Sequence, residues 1–92
     1  MPEFTVLAMP SANAGDSGGT LVFFDDARFV LGDQQSVELL RSQLERGVQG
    51  AKANPSMLVL ADRRVPSGDL IQLVGIARES GIGRVQIAEK RE

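Results

Sequence analysis

The clearest pattern of apolar and polar positions lies in residues 57–88, which read MLVLADRRVPSGDLIQLVGIARESGIGRVQIA. The apolar run at positions 57–61 predicts a buried strand, because it is too short for a helix of ordinary length. From Leu70 onward, apolar residues recur at i, i+3, i+4 and i+7, which places one apolar stripe along a helix. Ser67 is suited to cap the start of that helix. This stretch therefore predicts a strand followed by a helix.

The end of the same stretch predicts a second strand. Gly81 is expected to stop the helix, since a residue just past a helix end often takes the left-handed conformation that glycine tolerates. Val85 and Ile87 then alternate with polar residues, as on a half-buried strand. Two strands joined by a helix run parallel with a right-handed crossover, so the helix is expected on one face of the sheet.

Residues upstream of this unit predict a hairpin and another helix. Residues 20–24 and 28–31 are β-prone, and the turn residues Asp25 and Asp26 lie between them. The turn lacks the Asn-Gly signal, so the register of the hairpin is open. After Ser36, a good N-cap, apolar residues follow at spacings of three, four and four, which predicts an amphipathic helix.

This order of elements divides the chain into three parts. Residues 1–19 have a short β-prone start and then small, turn-forming residues, which predicts a flexible leader. Residues 20–88 are predicted to form an α+β domain of order β-β-α-β-α-β, a mixed sheet with two helices on one face. Residues 89–92 form a polar tail.

The strand at 57–61 is apolar on both of its faces. Alternate residues point to opposite sides, and both sets are apolar, so helices on one face leave the other uncovered. Either the leader or another chain covers that second face, and of the two we favour self-association. The candidate surface for a partner or a second copy consists of Met57, Val59, Ala61, Val85 and Ile87.

Composition narrows the classes of function. The 92 residues are 42% hydrophobic and 24% charged, which fits one globular core. The net charge is −2, without a basic block, and the chain has four Phe but no Trp or Tyr, which argues against a nucleic-acid surface. Cysteine and histidine are both absent, which removes disulfides, thiolate nucleophiles and the commonest metal ligand and general base. We expect no enzyme activity, no cofactor and no metal site.

Two motifs could carry chemistry. Residues 15–19 spell GDSGG, which resembles the stretch around the nucleophilic serine of chymotrypsin-like proteases. That chemistry needs a histidine to take the serine proton, and the chain has none, so Ser17 is interpreted as a linker residue. Asp62 ends a central strand, a position where α/β sheets often place a functional acid. We favour a structural role, in which Asp62 caps the turn or pairs with Arg63 or Arg64.

The loop at the end of this strand is nevertheless kept as a second candidate site, formed by Asp62, Arg63, Arg64 and Pro66.

An ordered set of features resembles one family. It comprises the apolar strand, Ala61-Asp62, the basic pair, Val65-Pro66, Gly68, the amphipathic helix, Ser80-Gly81-Ile82 and the last, valine-containing strand. This order resembles the C-terminal half of the ExbD/TolR family of biopolymer transport proteins. Upstream, residues 9–12 (Met-Pro-Ser-Ala) resemble the leucine-proline segment that follows the family's membrane helix. Ser67 departs from the pattern, since many members have an aromatic residue after the proline.

The resemblance implies a periplasmic domain tethered to the bacterial inner membrane by a single N-terminal helix that lies outside this sequence. Members work with a channel partner of the ExbB/TolQ type and use the proton-motive force to drive a transducer of the TonB or TolA type. The family's proton-carrying aspartate lies in the membrane helix, so no catalytic residue is carried over to this chain. A homodimer is expected.

Two other functions stay open at this point. One is a peptidoglycan-binding or gating domain, closer to TolR and to flagellar stator proteins. The other is a small cytosolic α/β enzyme or ligand-binding domain with Asp62 as its acid, which would need a pocket holding a further perturbed titratable group.

Overall fold

A computed structural model describes residues 4–10, 20–51 and 54–90, with the backbone alone described at position 90. Its elements are β1 (Phe4–Pro10), β2 (Thr20–Phe24), β3 (Ala27–Val30), α1 (Gln34–Gly50), β4 (Ser56–Asp62), α2 (Ser67–Glu79) and β5 (Arg84–Lys90). The five strands form one sheet in the order β3-β2-β1-β4-β5. The chain is therefore α+β, with a five-stranded mixed sheet and two helices.

The sheet joins an antiparallel half to a parallel half. β3, β2 and β1 pair antiparallel, whereas β1, β4 and β5 pair parallel. The hairpin turn consists of Asp25 and Asp26 alone, because Phe24 pairs with Ala27. Both turn residues have positive φ, 53° and 67°, as the tight two-residue hairpin turn of type I′ requires.

Residues 4–10 correct the predicted leader, because β1 is the middle strand of the sheet. Val6 and Ala8 are fully buried and lie in register with Val59 and Ala61 of β4. The alternation that marks a half-buried strand is hidden in the sequence, since the outward-pointing Leu7 and Met9 are apolar too. The domain therefore begins at β1, and the rest of the predicted leader, residues 11–19, lies outside the described residues. Positions 89 and 90, predicted as tail, belong to β5.

One face of the sheet packs against both helices. Leu40 and Leu44 of α1 and Leu73 and Ala77 of α2 are fully buried in the same cluster as Val59 of β4. α1 lies close to β1 at position 47, where a Cβ would lie 2.8 Å from the Phe4 Cζ. Between the helices, the Arg41 guanidinium donates to the Glu79 carboxylate at 2.9 Å. The hydrophobic core thus lies between the two helices and this face.

The starts of the helices differ from the sequence predictions. The N-cap of α1 lies three positions before the predicted cap Ser36, because the Asp33 carboxylate accepts the Gln35 amide at 3.1 Å. Ser67 is the first residue of α2 and not its cap; Pro66 holds the N-cap position without a side-chain hydrogen bond. In place of a local cap, Asp69 in the first turn accepts a hydrogen bond from the buried Thr20 hydroxyl of β2.

The end of α2 confirms the role predicted for Gly81. Its φ is +107°, a conformation that side-chain-bearing residues rarely adopt. The Gly81 amide donates to the Arg78 carbonyl at 3.0 Å, and the Ile82 amide donates to the Ala77 carbonyl at 3.0 Å. These two bonds form a Schellman motif, which Ile82 completes with a buried side chain.

Candidate interaction surface

The structure divides the residues predicted to bind a partner into two groups, one in the core and one on the edge strand β5. Met57, Val59 and Ala61 are no more than 2% exposed and face the helices, so they form core and not surface. This corrects the prediction for these three positions. Sequence alone left the choice between the two faces of β4 open, because both were apolar.

The two predicted positions on β5 lie on the helix-covered side at the edge of the sheet. Val85 pairs with Met57 and is partly buried against the core, whereas Ile87 pairs with Val59 and is 47% exposed. β5 contacts β4 alone among the described strands, so its outer edge carries unpaired main-chain groups. Ile87 is therefore an exposed apolar side chain beside an open strand edge.

The opposite side of the sheet, here called the open face, carries the side chains that point away from the helices. Paired residues of neighbouring strands point to the same side, so the register identifies its members. In the middle strands its apolar members are Leu7, Met9, Leu58 and Leu60. In the flanking strands they are Leu21, Phe23, Val30 and Ala88.

The open face is apolar at its centre and exposed to solvent. Leu7 and Met9 are each 39% exposed, and the other apolar members are half-buried by their neighbours. No described helix or loop covers them. A shallow groove of about 380 Å³ crosses this face beside the hairpin turn and is lined by residues that include Leu7, Phe23 and Asp26. Contiguous apolar surface of this kind marks interaction sites in many proteins.

The sequence predicted that a second apolar face exists, but the residues it named as the candidate surface lie on the helix-covered side. The double apolar character of the strand at 57–61 correctly indicated a second apolar face, which is now seen to carry Leu58 and Leu60. The prediction of a leader over residues 1–19 hides the contributions of β1 and of its neighbour β2 to this face. An available signal was the β-prone run from Phe4 to Ala8.

The loop after β4 is held by one carboxylate. Asp62 Oδ1 accepts the Arg64 backbone amide at 2.9 Å and the Arg64 Nε at 3.0 Å, and its Oδ2 accepts the Arg64 Nη2 at 3.2 Å. The Asp62 carbonyl accepts the Val65 amide at 3.0 Å, which closes the turn. Val65 is buried, whereas Arg63 and Pro66 are exposed. The preferred interpretation of Asp62 as a turn cap paired with Arg64 matches this geometry.

The electrostatics of Asp62 follow from these contacts. Hydrogen bonds from the Arg64 side chain and then from its backbone amide lower the pKa of Asp62 from 3.8 to about 2. A general acid near neutral pH needs a raised pKa, because it must hold its proton until the reaction requires it. Asp62 is instead ionised and engaged, which makes it unsuited to donate a proton.

Among the described residues, no group of three or more Asp, Glu, His or Cys residues is placed to hold a metal ion. Ser17 of the GDSGG motif lies in the stretch 11–19 and so falls outside them. No helix among the described residues is both long and apolar enough to cross a membrane.

Comparisons with known proteins add no relative. No protein-family model, no curated protein and no solved structure matches the chain. The surface geometry and the ordered sequence features therefore carry the functional argument.

Proposed function

We propose that this chain is the coupling and docking domain of an ExbD/TolR-type subunit. In this proposal it lies in the periplasm and is tethered to the inner membrane by an N-terminal helix outside this sequence. It meets an ExbB/TolQ-type channel through that anchor and passes work from the proton-motive force to a TonB- or TolA-type transducer. The observation that carries the proposal is a sheet that the described helices cover on one face, with an apolar second face and a β5 edge that no described element covers.

The β5 edge supplies a mechanism for docking. An extended partner segment can add beside an edge strand through main-chain hydrogen bonds, and side chains on alternate positions then give specificity. β5 is seven residues long, which is room for such a segment. A strand added there would bring a cross-strand neighbour against Ile87, whose side chain is 47% exposed.

The test is a titration of labelled periplasmic segments of TonB-type and TolA-type transducers with the 92-residue chain, followed by fluorescence anisotropy. Binding should be saturable and should weaken in Ile87→Glu, because the new charge is desolvated beside the added strand. Ile71→Glu is the matched control, since Ile71 is 71% exposed on α2 and outside the sheet edge. No binding at millimolar concentration, or equal loss in both variants, would contradict the mechanism.

The coding sequence just upstream of this segment provides an independent test of the ExbD/TolR assignment. About 20 apolar residues with one aspartate, encoded just before this segment, would fit the family's proton-carrying anchor. An upstream coding sequence without such a segment would count against the assignment.

The alternatives make different predictions. A domain that holds the cell wall should co-sediment with purified peptidoglycan and should leave transducer segments unbound. An enzyme that uses Asp62 as its acid is disfavoured by the Arg64 pairing and the lowered pKa of Asp62. For that alternative, Asp62→Asn would have to abolish a measured turnover while the chain stays folded.

A further inference from the structure

The open face has the dimensions of a protein interface. Five strands spaced about 4.8 Å apart, with about six residues each at about 3.3 Å per residue, give a flat footprint of roughly 500 Å². Side-chain relief makes the accessible area larger than this footprint. A stable interface removes about 800 Å² from each partner, so the open face approaches what one side of a dimer needs.

The remaining residues of this sequence lack the side chains to cover the open face. Positions 11–19 read SANAGDSGG and contain no large apolar residue. Positions 2–3, 52–53 and 91–92 add Pro-Glu, Lys-Ala and Arg-Glu. Only Met1 is large and apolar among the residues outside the described ranges. The residues of this sequence outside the described ranges therefore supply almost no apolar side chains to cover this face.

The distribution of charge favours an identical face as that cover. Among the described residues, the register places charged side chains of this face on the two edge strands, with Arg28 on β3 and Arg84 on β5, while Asp25 and Asp26 lie at the hairpin turn. The centre, where Leu7 lies in register with Leu60, is uncharged. A two-fold axis brings the same patch of both subunits together, so an uncharged, nearly flat centre is self-complementary.

We propose that two copies of this chain pack open face to open face, as a two-layered sandwich with Leu7 and Leu60 near its centre and the helices outside. The proposal rests on the proposed function in taking a homodimer as the assembled form, and it names the face that the homodimer uses. It leaves the β5 edge free, so a transducer segment and the second copy occupy different surfaces.

Sedimentation equilibrium from micromolar to millimolar concentration tests the association. The unmodified chain should form a reversible dimer. Leu7→Lys should weaken self-association by about a hundredfold or more, because two-fold symmetry buries two copies of the new charge in one interface. The stability of the Leu7→Lys monomer should change little, since Leu7 is 39% exposed and a lysine side chain at this position can reach solvent. Ile71→Lys, the same chemical change on the outer side of α2, should leave the dimer intact.

Thiol protection locates the interface without adding charge. The chain has no cysteine, so Leu7→Cys and Ile71→Cys each introduce a single thiol. The rate at which maleimide labels the Leu7→Cys variant should fall as protein concentration rises, whereas the labelling rate of the Ile71→Cys variant should not depend on concentration. Circular dichroism and urea unfolding at dilute concentration verify that each variant is folded.

Three results would overturn the sandwich: a strictly monomeric chain, a dimer that Leu7→Lys leaves unchanged, or protection of the Leu7→Cys thiol by phospholipid vesicles and not by protein concentration. These failures are separable from failure of the proposed function, because transducer binding is measured on its own. Folded, monomeric Leu7→Lys that still binds a transducer segment would support both proposals. A dimer that binds no transducer segment would support the sandwich and count against the proposed function.

Discussion

The contact between α1 and β1 at Gly47 gives a prediction whose sign opposes the usual rule. An interior Gly→Ala change stabilises a helix by up to about 1 kcal/mol, because alanine loses less backbone entropy on folding. In this fold, however, a Cβ at position 47 would lie 2.8 Å from the Phe4 Cζ, well inside the normal carbon–carbon contact of about 3.5–4.0 Å. The Phe4 ring would have to move.

The size of the stability change depends on how tightly the Phe4 ring is packed. Phe4 is 8% exposed, and its ring packs on Phe24 with the centroids 5.8 Å apart. Inserting a methyl group into packed surroundings costs about 1–3 kcal/mol. The higher helix propensity of alanine offsets up to about 1 kcal/mol of that cost. We therefore expect Gly47→Ala to lower the free energy of unfolding by about 1 kcal/mol. Gly75→Ala is the control, since a Cβ there would meet no atom within 4 Å beyond its chain neighbours and its own helix backbone, and it should stabilise by about 1 kcal/mol.

The assay is urea denaturation of both variants, alone and combined with Phe4→Leu. Once the ring is removed, Gly47→Ala should become neutral or stabilising, so the double-mutant cycle should show a coupling of about 1–2 kcal/mol between positions 4 and 47. If Gly47→Ala raises stability as much as Gly75→Ala does in the unmodified chain, the steric reasoning is refuted.

Two further predictions concern the hairpin turn and the loop after β4. Asp26 has φ of 67°, so Asp26→Gly should raise the free energy of unfolding by about 1 kcal/mol, measured by urea denaturation; a loss would contradict the type I′ assignment. Because the pKa of Asp62 is lowered in the fold, its contribution to stability is present above pH 3.8 and is lost as the pH falls toward 2. Unfolding followed against pH should show a shallower acid loss in Asp62→Asn, and identical slopes would exclude this linkage.

Local patterns in the sequence were enough for most secondary-structure elements. The β-α-β unit, the hairpin and both helices follow from periodicity, which reports on how one element alternates between core and solvent. The end of α2 was equally local, because Gly81 supplies the positive φ that its cap needs. The helix starts were less certain, since Asp33 and Ser36 are both capable caps and only the path of the chain after β3 selects Asp33.

The candidate surface was harder to predict, because its position depends on which side of the sheet the helices occupy. On β4, one set of alternate residues is Met57, Val59 and Ala61, and the other contains Leu58 and Leu60. Both sets satisfy the same local rule. Only the packing of α1 and α2 on the first set distinguishes the two.

The sequence by itself determined that this chain is a small α+β domain with a doubly apolar central strand and without the residue types of thiol or histidine chemistry. Tertiary structure alone decided that β1 is the middle strand, that α1 passes close enough to Phe4 to favour a glycine at position 47, and that Leu7 and Leu60 belong to an open face. The physical reason is that periodicity describes each element against an average environment. Which face is buried depends on contacts between residues far apart in the chain.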